Sequence, residues 1–458
     1  MLFQTWPFLA FFAVVYPVYL LTRRTRFRLV WLLVSSYVFY AWLSPLYLLP
    51  LAYATIVDYL IAGRIEKGRR KRGWLALSIA NDLSILAFFK YGVFLTANLN
   101  ALLASVGIPY IVPAPGLLLP AGLSFYLLQS IGYTIDVYRG ATRREKSLLT
   151  YAVFTSFFPR LLAGPIERAN HLLPQLRSGR SVSVRDFTDG LSVFIVGYFK
   201  KVALADYLAL YVGKVYAAPG EHHVPALLLA TFLFAWQIYF DFSGYTDMAR
   251  GVARAMGIDL MLNFNNPYLA VGMGDFWRRW HISLSTWFRD YVYIPLGGNR
   301  HGRLATYRNI FLTMVLSGLW HGAAWTFVLW GAVHALACVA TRELERTAFY
   351  VRRLPRLVKV LFVFALVTFA WIFFRAEGLA DARTVVVRLF TSGIQDPEWP
   401  LLAIALIAAV WAYQLLFESR LRRLLELRAV RVSIVLAMLL YLVLTISAEG
   451  QPFIYMQF

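Results

Sequence analysis

The sequence predicts an all-α polytopic membrane protein. Three observations lead there: an apolar composition, a long series of separate apolar runs, and basic residues gathered in every second connection between them. Of 458 residues, 60% are hydrophobic and 15% charged, against about 45–50% and about 25% in soluble domains. A span needs about 20 mostly apolar residues, fewer where the flanks snorkel. Such runs lie near 7–22, 29–43, 46–62, 74–92, 116–137, 190–216, 225–245, 309–320, 322–340, 357–374, 400–417 and 432–448. They amount to about 11–12 transmembrane helices, since 309–340 reads either as a hairpin or as one kinked span. Lys plus Arg is 45 against 24 Asp plus Glu, a formal charge of +21. The bases fall in short clusters between apolar runs, which is how cytoplasmic loops face anionic lipid; a nucleic-acid partner is not expected.

Taken in order, MLFQTWPFLAFF has no basic n-region or small-residue cleavage site and reads as the first span. Arg23, Arg24, Arg26 and Arg28 follow it; Arg64, Lys67, Arg69, Arg70, Lys71 and Arg72 follow the third run, and Arg139, Arg143, Arg144 and Lys146 the fifth. The connections between, 44–45 and 93–115, carry no such cluster, so the N-terminus is expected outside. Residues 148–166 break the parity, because basic loops flank them on both sides. They also contain Pro159, Arg160, Gly164 and Pro165, which favours a re-entrant segment over a kinked span.

From 246 to 308 the chain is neither loop-like nor spanning. At helical spacing over 275–291, Trp277, Trp280, His281, Leu284, Trp287, Phe288 and Tyr291 share one face, opposite Arg278, Ser285 and Arg289. That pattern predicts one helix lying at the cytoplasmic interface. Read as a hairpin of two short spans, 309–340 turns near His321 and leaves the basic stretches 342–356 and 420–431 cytoplasmic.

His321 is the first candidate for chemistry. Ionisable groups inside spans are costly and usually functional, and neutral imidazole is a suitable general base near neutral pH. Ser317, Gly318, Gly322, Ala323 and Ala324 around it leave room for a ligand or another backbone. His281, inward on the aromatic face, orients the acyl donor, supports His321 or bonds a backbone carbonyl. His334 and Cys338 read as core packing, and His222 and His223 as solvated. Lys200 and Lys201 pair with Asp206 or reach a phosphate, Asp241, Ser243 and Asp247 cap or interrupt a span, and Asp136 and Arg160 form a candidate pair. With Cys338 the lone cysteine, an intrachain disulfide is excluded and no metal site is expected. HExxH, P-loop and GxSxG motifs are missing, as is the His-x4-Asp of soluble glycerolipid acyltransferases. The GMG at 272–274 lacks the preceding strand of a dinucleotide site.

DFWRRWHISLSTWFRDYVYIPLGGNR, followed by NIFLTMVLSGLWHGAAWTFVLWGAVH, resembles the membrane-bound O-acyltransferase superfamily, and within it the alginate O-acetyltransferase branch. FPRLLAGPIERANHLLPQL at 158–176, FDFSGYTDMARGVARAMG at 240–257, NFNNPYLA at 263–270 and the ending QPFIYMQF agree. The resemblance implies one membrane domain over 1–458, with N-terminal helices to 147, a catalytic core at 148–345 and C-terminal helices beyond. It maps the family's invariant histidine to His321 and its variable histidine-or-asparagine position to His281. It further implies transfer of acetyl from cytoplasmic acetyl-CoA through a tunnel to a periplasmic partner of the SGNH-hydrolase type. That partner would esterify an exported polysaccharide such as alginate, and the chain would sit in a bacterial inner membrane. No tightly bound cofactor is expected, acetyl-CoA being the donor substrate. Arg278, Arg279, Arg289 and Arg300 form a basic cytoplasmic face suited to coenzyme A phosphates. The alternatives are transfer of D-alanyl or another acyl group to a cell-envelope acceptor, and a non-catalytic secretion or transport subunit.

Overall fold

The computed structural model describes residues 1–25, 27–68, 70–116, 119–179, 181–395 and 399–445. The ending QPFIYMQF, the last residues of the 432–448 run, and Arg26, Arg69 and Arg180 of the basic loops lie outside the described residues. Every regular element described is helical. In order they are α1 Trp6–Thr22, α2 Phe27–Ala41, α3 Leu48–Glu66, α4 Lys71–Leu86, α5 Gly92–Ser105, α6 Leu123–Arg139, α7 Leu148–Ser156, α8 Ala169–Ser178, α9 Val184–Tyr198 and α10 Asp206–Ala217. There follow α11 Val224–Ala255, α12 Met273–Arg279, α13 Ile282–Phe288, α14 Gly302–His321, α15 Trp325–Leu344, α16 Arg356–Arg375, α17 Leu379–Thr391, α18 Leu401–Glu418, α19 Arg422–Glu426 and α20 Arg428–Thr445.

Each predicted apolar run contains helix, the 190–216 run as α9 and α10 joined by a π turn over Phe199–Ala205. Six helical stretches are long and apolar enough to cross a bilayer: Pro45–Glu66, Lys71–Ser105, Val224–Ala255, Trp325–Leu344, Arg356–Arg375 and Leu401–Glu418. Trp6–Thr22, Phe27–Ala41 and Ala429–Val443 are shorter apolar helices. The Lys71–Ser105 stretch buries almost none of its apolar window, with Leu77, Leu83, Phe88, Val93, Leu95, Leu99 and Leu102 outward, as a lipid-facing helix requires. Val224–Ala255 is the opposite case, most of its window being buried in protein. The chain is therefore an all-α multi-pass membrane protein.

The structure changes three expectations. The helix within the 116–137 run begins at Leu123, after Gly122 at φ 76°. The hairpin arms are each 20 residues rather than two short spans, because the first begins at Gly302 instead of 309. The predicted interfacial helix over 275–291 is two helices, α12 and α13, with a corner at Trp280–His281 and a π turn over Arg289–Tyr293. The anticipated burial nevertheless holds: Trp280, His281, Leu284, Trp287 and Phe288 are buried and Arg278 and Arg289 exposed.

The chain forms two compact units, Met1–Phe194 with Ala249–Met261, and Ile195–Met248 with Leu262–Phe458. In the first, α7 is helical for 9 residues, about 13 Å and well under a bilayer core. The next stretch, Phe157–Ile166, is irregular yet buried throughout, the form a re-entrant segment takes. Hydrogen bonds hold it and the end of α7 in place. Ser36 Oγ accepts from the Phe158 N–H at 3.1 Å, Gln129 Nε2 donates to the Phe154 carbonyl at 2.7 Å, and Arg160 donates to the Thr155 carbonyl at 3.2 Å. Lower down, α8 holds the 256–261 loop. Gln175 exchanges two hydrogen bonds with the Asp259 backbone, and Glu167 accepts from the Met261 N–H at 2.6 Å and pairs with His171 at 2.6 Å.

In the second unit, buried charge is paired, as low-dielectric surroundings demand. Lys201 Nζ lies 2.8 Å from Asp206 and 2.6 Å from Asp241, and Lys200 lies 2.7 Å from Asp247. The expected Lys201–Asp206 pair is thus a triad. The α14–α15 hairpin closes on small residues: a Cβ at Gly318 would stand 2.2 Å from the Phe327 carbonyl oxygen, and one at Gly331 2.4 Å from that of Met314. Backbones meet where those side chains are missing, the usual device for packing helices in lipid.

Candidate active site

The site is built from three pieces of the second unit: the α12–α13 corner, the tip of the α14–α15 hairpin, and one face of α16. At the corner, His281 takes φ 41°, ψ 55°, a left-handed conformation costly for most side chains. An extended stretch fixes it there. The Asn263 carbonyl accepts from the Ile282 N–H at 2.9 Å, Asn263 Oδ1 from the Ser283 N–H at 3.2 Å, and the Asn265 N–H donates to the Arg279 carbonyl at 2.9 Å. The Ser285 N–H closes on the His281 carbonyl at 2.9 Å and starts α13. Backbone held away from its preferred region persists only where the surroundings over-determine it, and such places concentrate at functional sites.

His321 is the last residue of α14, at the hairpin tip. Gly322 follows in extended backbone, and a Cβ there would overlap the Phe327 ring at 2.0 Å. Of the small residues around His321, Gly318 thus admits the backbone of Phe327 and Gly322 its ring. The two imidazoles meet: their centroids are 6.3 Å apart, with His281 0% and His321 3% exposed. Trp320 at 4.9 Å, Trp330 at 5.1 Å and Phe374 at 5.4 Å surround His321. Phe242 stands edge-on to His281 at 4.6 Å. Burial pushes the His281 imidazole, which lies outside the spans, down to about 3. This leaves it neutral at physiological pH, able to donate from one nitrogen and accept at the other.

The four arginines are not equivalent. Arg279 is clamped between Asp275 at 3.1 Å and Glu418 at 2.6 Å, so its charge is balanced within the protein. Arg278 is exposed, with Asp275 only at 3.8 Å; Arg289 is exposed beside Asp290 at 2.8 Å, and Arg300 is exposed in the turn before α14. Among the described residues no group of His, Cys, Asp and Glu has the arrangement of a metal site.

Sequence reasoning passed over Asn263 and Asn309. Asn309 is fully buried and donates to the Gly298 carbonyl at 2.9 Å, tying the 294–300 turn to α14. A buried asparagine between apolar residues, as in LNFNNP, is the signal that was available.

Residues 141–376, just over half of the chain, match the model of the membrane-bound O-acyltransferase family. The chain is 42% identical to the "Probable alginate O-acetylase AlgI" of Pseudomonas putida over 82% of its own length and 76% of that protein's. It is 42% identical to the protein of the same name in Pseudomonas aeruginosa, over 86% and 75% of the two lengths. A "Peptidoglycan O-acetyltransferase" of Helicobacter pylori is 35% identical over 80% and 74%.

Proposed function

The chain belongs to the membrane-bound O-acyltransferase family, and from that premise we propose that this O-acyltransferase moves acetyl from cytoplasmic acetyl-CoA across a bacterial inner membrane for O-acetylation of an exported polysaccharide such as alginate. The immediate acceptor is a serine of a periplasmic SGNH-hydrolase-type partner. The observation that carries this reading is the meeting of His281 and His321, buried side by side at the hairpin tip within the family segment. The names of the Pseudomonas and Helicobacter relatives support acetyl and a glycan acceptor.

Chemically, the acceptor hydroxyl attacks the thioester carbonyl carbon while His321 removes its proton. The tetrahedral intermediate expels the coenzyme A thiolate, which takes that proton from the imidazolium as the C–S bond breaks. His281, neutral and fixed by its backbone, orients the reacting groups beside His321. The rings of Trp320, Trp330 and Phe374 crowd His321, which suits a short acyl group better than a long chain. Arg278, Arg289 and Arg300 are the exposed cations available to phosphates, while Arg279 serves the fold.

The test is acetyl transfer from labelled acetyl-CoA by purified protein in nanodiscs with a candidate SGNH partner, for wild type and His321→Ala. Transfer by wild type that disappears in a folded His321→Ala supports the reading. Equal activity of the two removes His321 from the mechanism, and an inert wild type rejects the donor or the partner.

A further inference from the structure

The second carboxylate on Arg279 comes from a helix beyond the segment that matches the family model. Glu418 is the last residue of α18. Its Oε1 accepts from Arg279 Nη1 at 2.6 Å and its Oε2 from Arg356 Nη2 at 2.7 Å. Arg356 is the first residue of α16, whose Phe374 packs on His321 at 5.4 Å. One carboxylate therefore joins α12, α16 and α18, with a separate guanidinium on each oxygen. The two pairs differ in setting. Side-chain exposure is 21% for Arg279 and 18% for Glu418, against 61% for Arg356. Solvent screens the Arg356 pair, so the Arg279 pair is the one that fixes geometry.

What Arg279 holds is the corner. It closes α12, two residues before His281. Its Nε donates to Asp275 Oδ1 at 3.1 Å, its Nη1 to the Asn265 carbonyl at 3.3 Å, and its own carbonyl accepts from the Asn265 N–H at 2.9 Å. These bonds tie the near side of the corner to the 263–265 stretch, while Asn263 of the same stretch accepts from Ile282 and Ser283 on the far side. Asp275 and Asn265 are local partners; Glu418 brings in a separate helix. The rest of α18 is seated to keep it there. Trp411 packs on Trp236 and Phe364 at 5.7 and 5.4 Å, and Gln414 donates to Tyr239 Oη at 3.2 Å. Trp411, Gln414 and Glu418 follow at helical spacing, so one face of α18 carries all three. We propose that Glu418 is a positioning residue for acyl transfer: by holding Arg279 it steadies the left-handed corner and keeps His281 beside His321. The role rests on His281 belonging to the active site.

The test reads the corner without any substrate. Diethyl pyrocarbonate modifies accessible neutral imidazoles, and peptide mass spectrometry follows each histidine of the full chain in nanodiscs. His281 and His334 are both fully buried, and His334 sits on α15, away from the corner. Glu418→Ala is expected to speed modification of His281 about tenfold through local opening, with His334 unchanged. Glu418→Gln keeps a neutral acceptor for Arg279 and is expected to give a smaller rise, about threefold. It carries the test alone should Glu418→Ala fail to elute as monodisperse protein. In acetyl transfer Glu418→Ala should lower kcat about tenfold with KM for acetyl-CoA little changed. Placed in His281→Gly, the same substitution should cost less than about twofold, because its effect runs through the ring already removed. An unchanged His281 overturns the proposal, and so does an equal rise at His281 and His334, which is general loosening. A full tenfold loss on top of His281→Gly also overturns it. A wild type that does not use acetyl-CoA rejects that donor, and the modification rates still decide the role of Glu418.

Discussion

Asn263→Ala takes from the Ser283 N–H the acceptor it has at 3.2 Å, and from the corner one of the bonds that hold His281 at φ 41°. The backbone carbonyl of residue 263 still accepts from Ile282, so the corner loosens without dissolving. Removing a buried acceptor costs about 1–3 kcal/mol, comparable to the roughly 1–2 kcal/mol by which an ordinary residue disfavours the left-handed region. The corner's preference is then close to balanced, and His281 leaves its place beside His321 for an appreciable fraction of the time. Acetyl transfer is expected to fall about 10–100-fold, since each 1.4 kcal/mol is tenfold. His281→Asn should lose less in the Asn263→Ala background than in wild type, because the ring it removes is there already displaced for part of the time. Asn263→Ala with wild-type transfer rates would refute the role given to this corner.

Further outcomes follow from packing and charge. Gly318→Ala and Gly331→Ala should each destabilise by about 1–3 kcal/mol through overpacking against backbone carbonyls. Gly213→Ala in α10, where a Cβ meets nothing within 4 Å, should raise the thermal midpoint slightly. Lys201→Met strands Asp206 and Asp241 and should cost about 3–5 kcal/mol, read as loss of monodisperse protein; an undiminished yield would contradict the triad. The hydrogen bond that His171 donates to the Glu167 carboxylate raises its pKa above the ordinary histidine value, burial opposing. A raised folded pKa stabilises below the unfolded pKa and loses that contribution as pH rises through the folded one. The thermal-midpoint difference between wild type and His171→Gln should therefore be largest under mildly acidic conditions and close towards alkaline pH.

Much of the architecture was legible because hydrocarbon imposes a simple rule: apolar length marks a crossing, and basic clusters mark one side. The pairing of Lys201 with Asp206 was legible for a related reason, since a buried lysine needs a nearby carboxylate. The corner at His281 was not. Trp277, Trp280, Leu284 and Trp287 keep helical spacing straight across it, so periodicity reports burial and stays silent about a break in the helix between them. The early start of α14 was hidden by Arg303, Thr306 and Arg308, polar residues at the head of an apolar helix. The neutralisation of Arg279 depends on Glu418, which lies 139 residues further on and reaches it only through tertiary structure.

The backbone at residue 281 also bears on how its chemistry can be dissected. A left-handed position sorts residues by steric tolerance before any reactivity is considered, and histidine and asparagine are both on the short list of side chains enriched there. The histidine-or-asparagine choice implied at this position by the family resemblance is therefore what a conformational filter would leave, whatever each side chain does to a substrate. An alanine placed at 281 removes an imidazole and strains a turn in one step, and lost activity would be credited to the wrong cause. Glycine, which enters that region freely, removes the imidazole alone. The difference in rate between the glycine and alanine variants measures what the turn contributes, and the difference between glycine and wild type what the ring does.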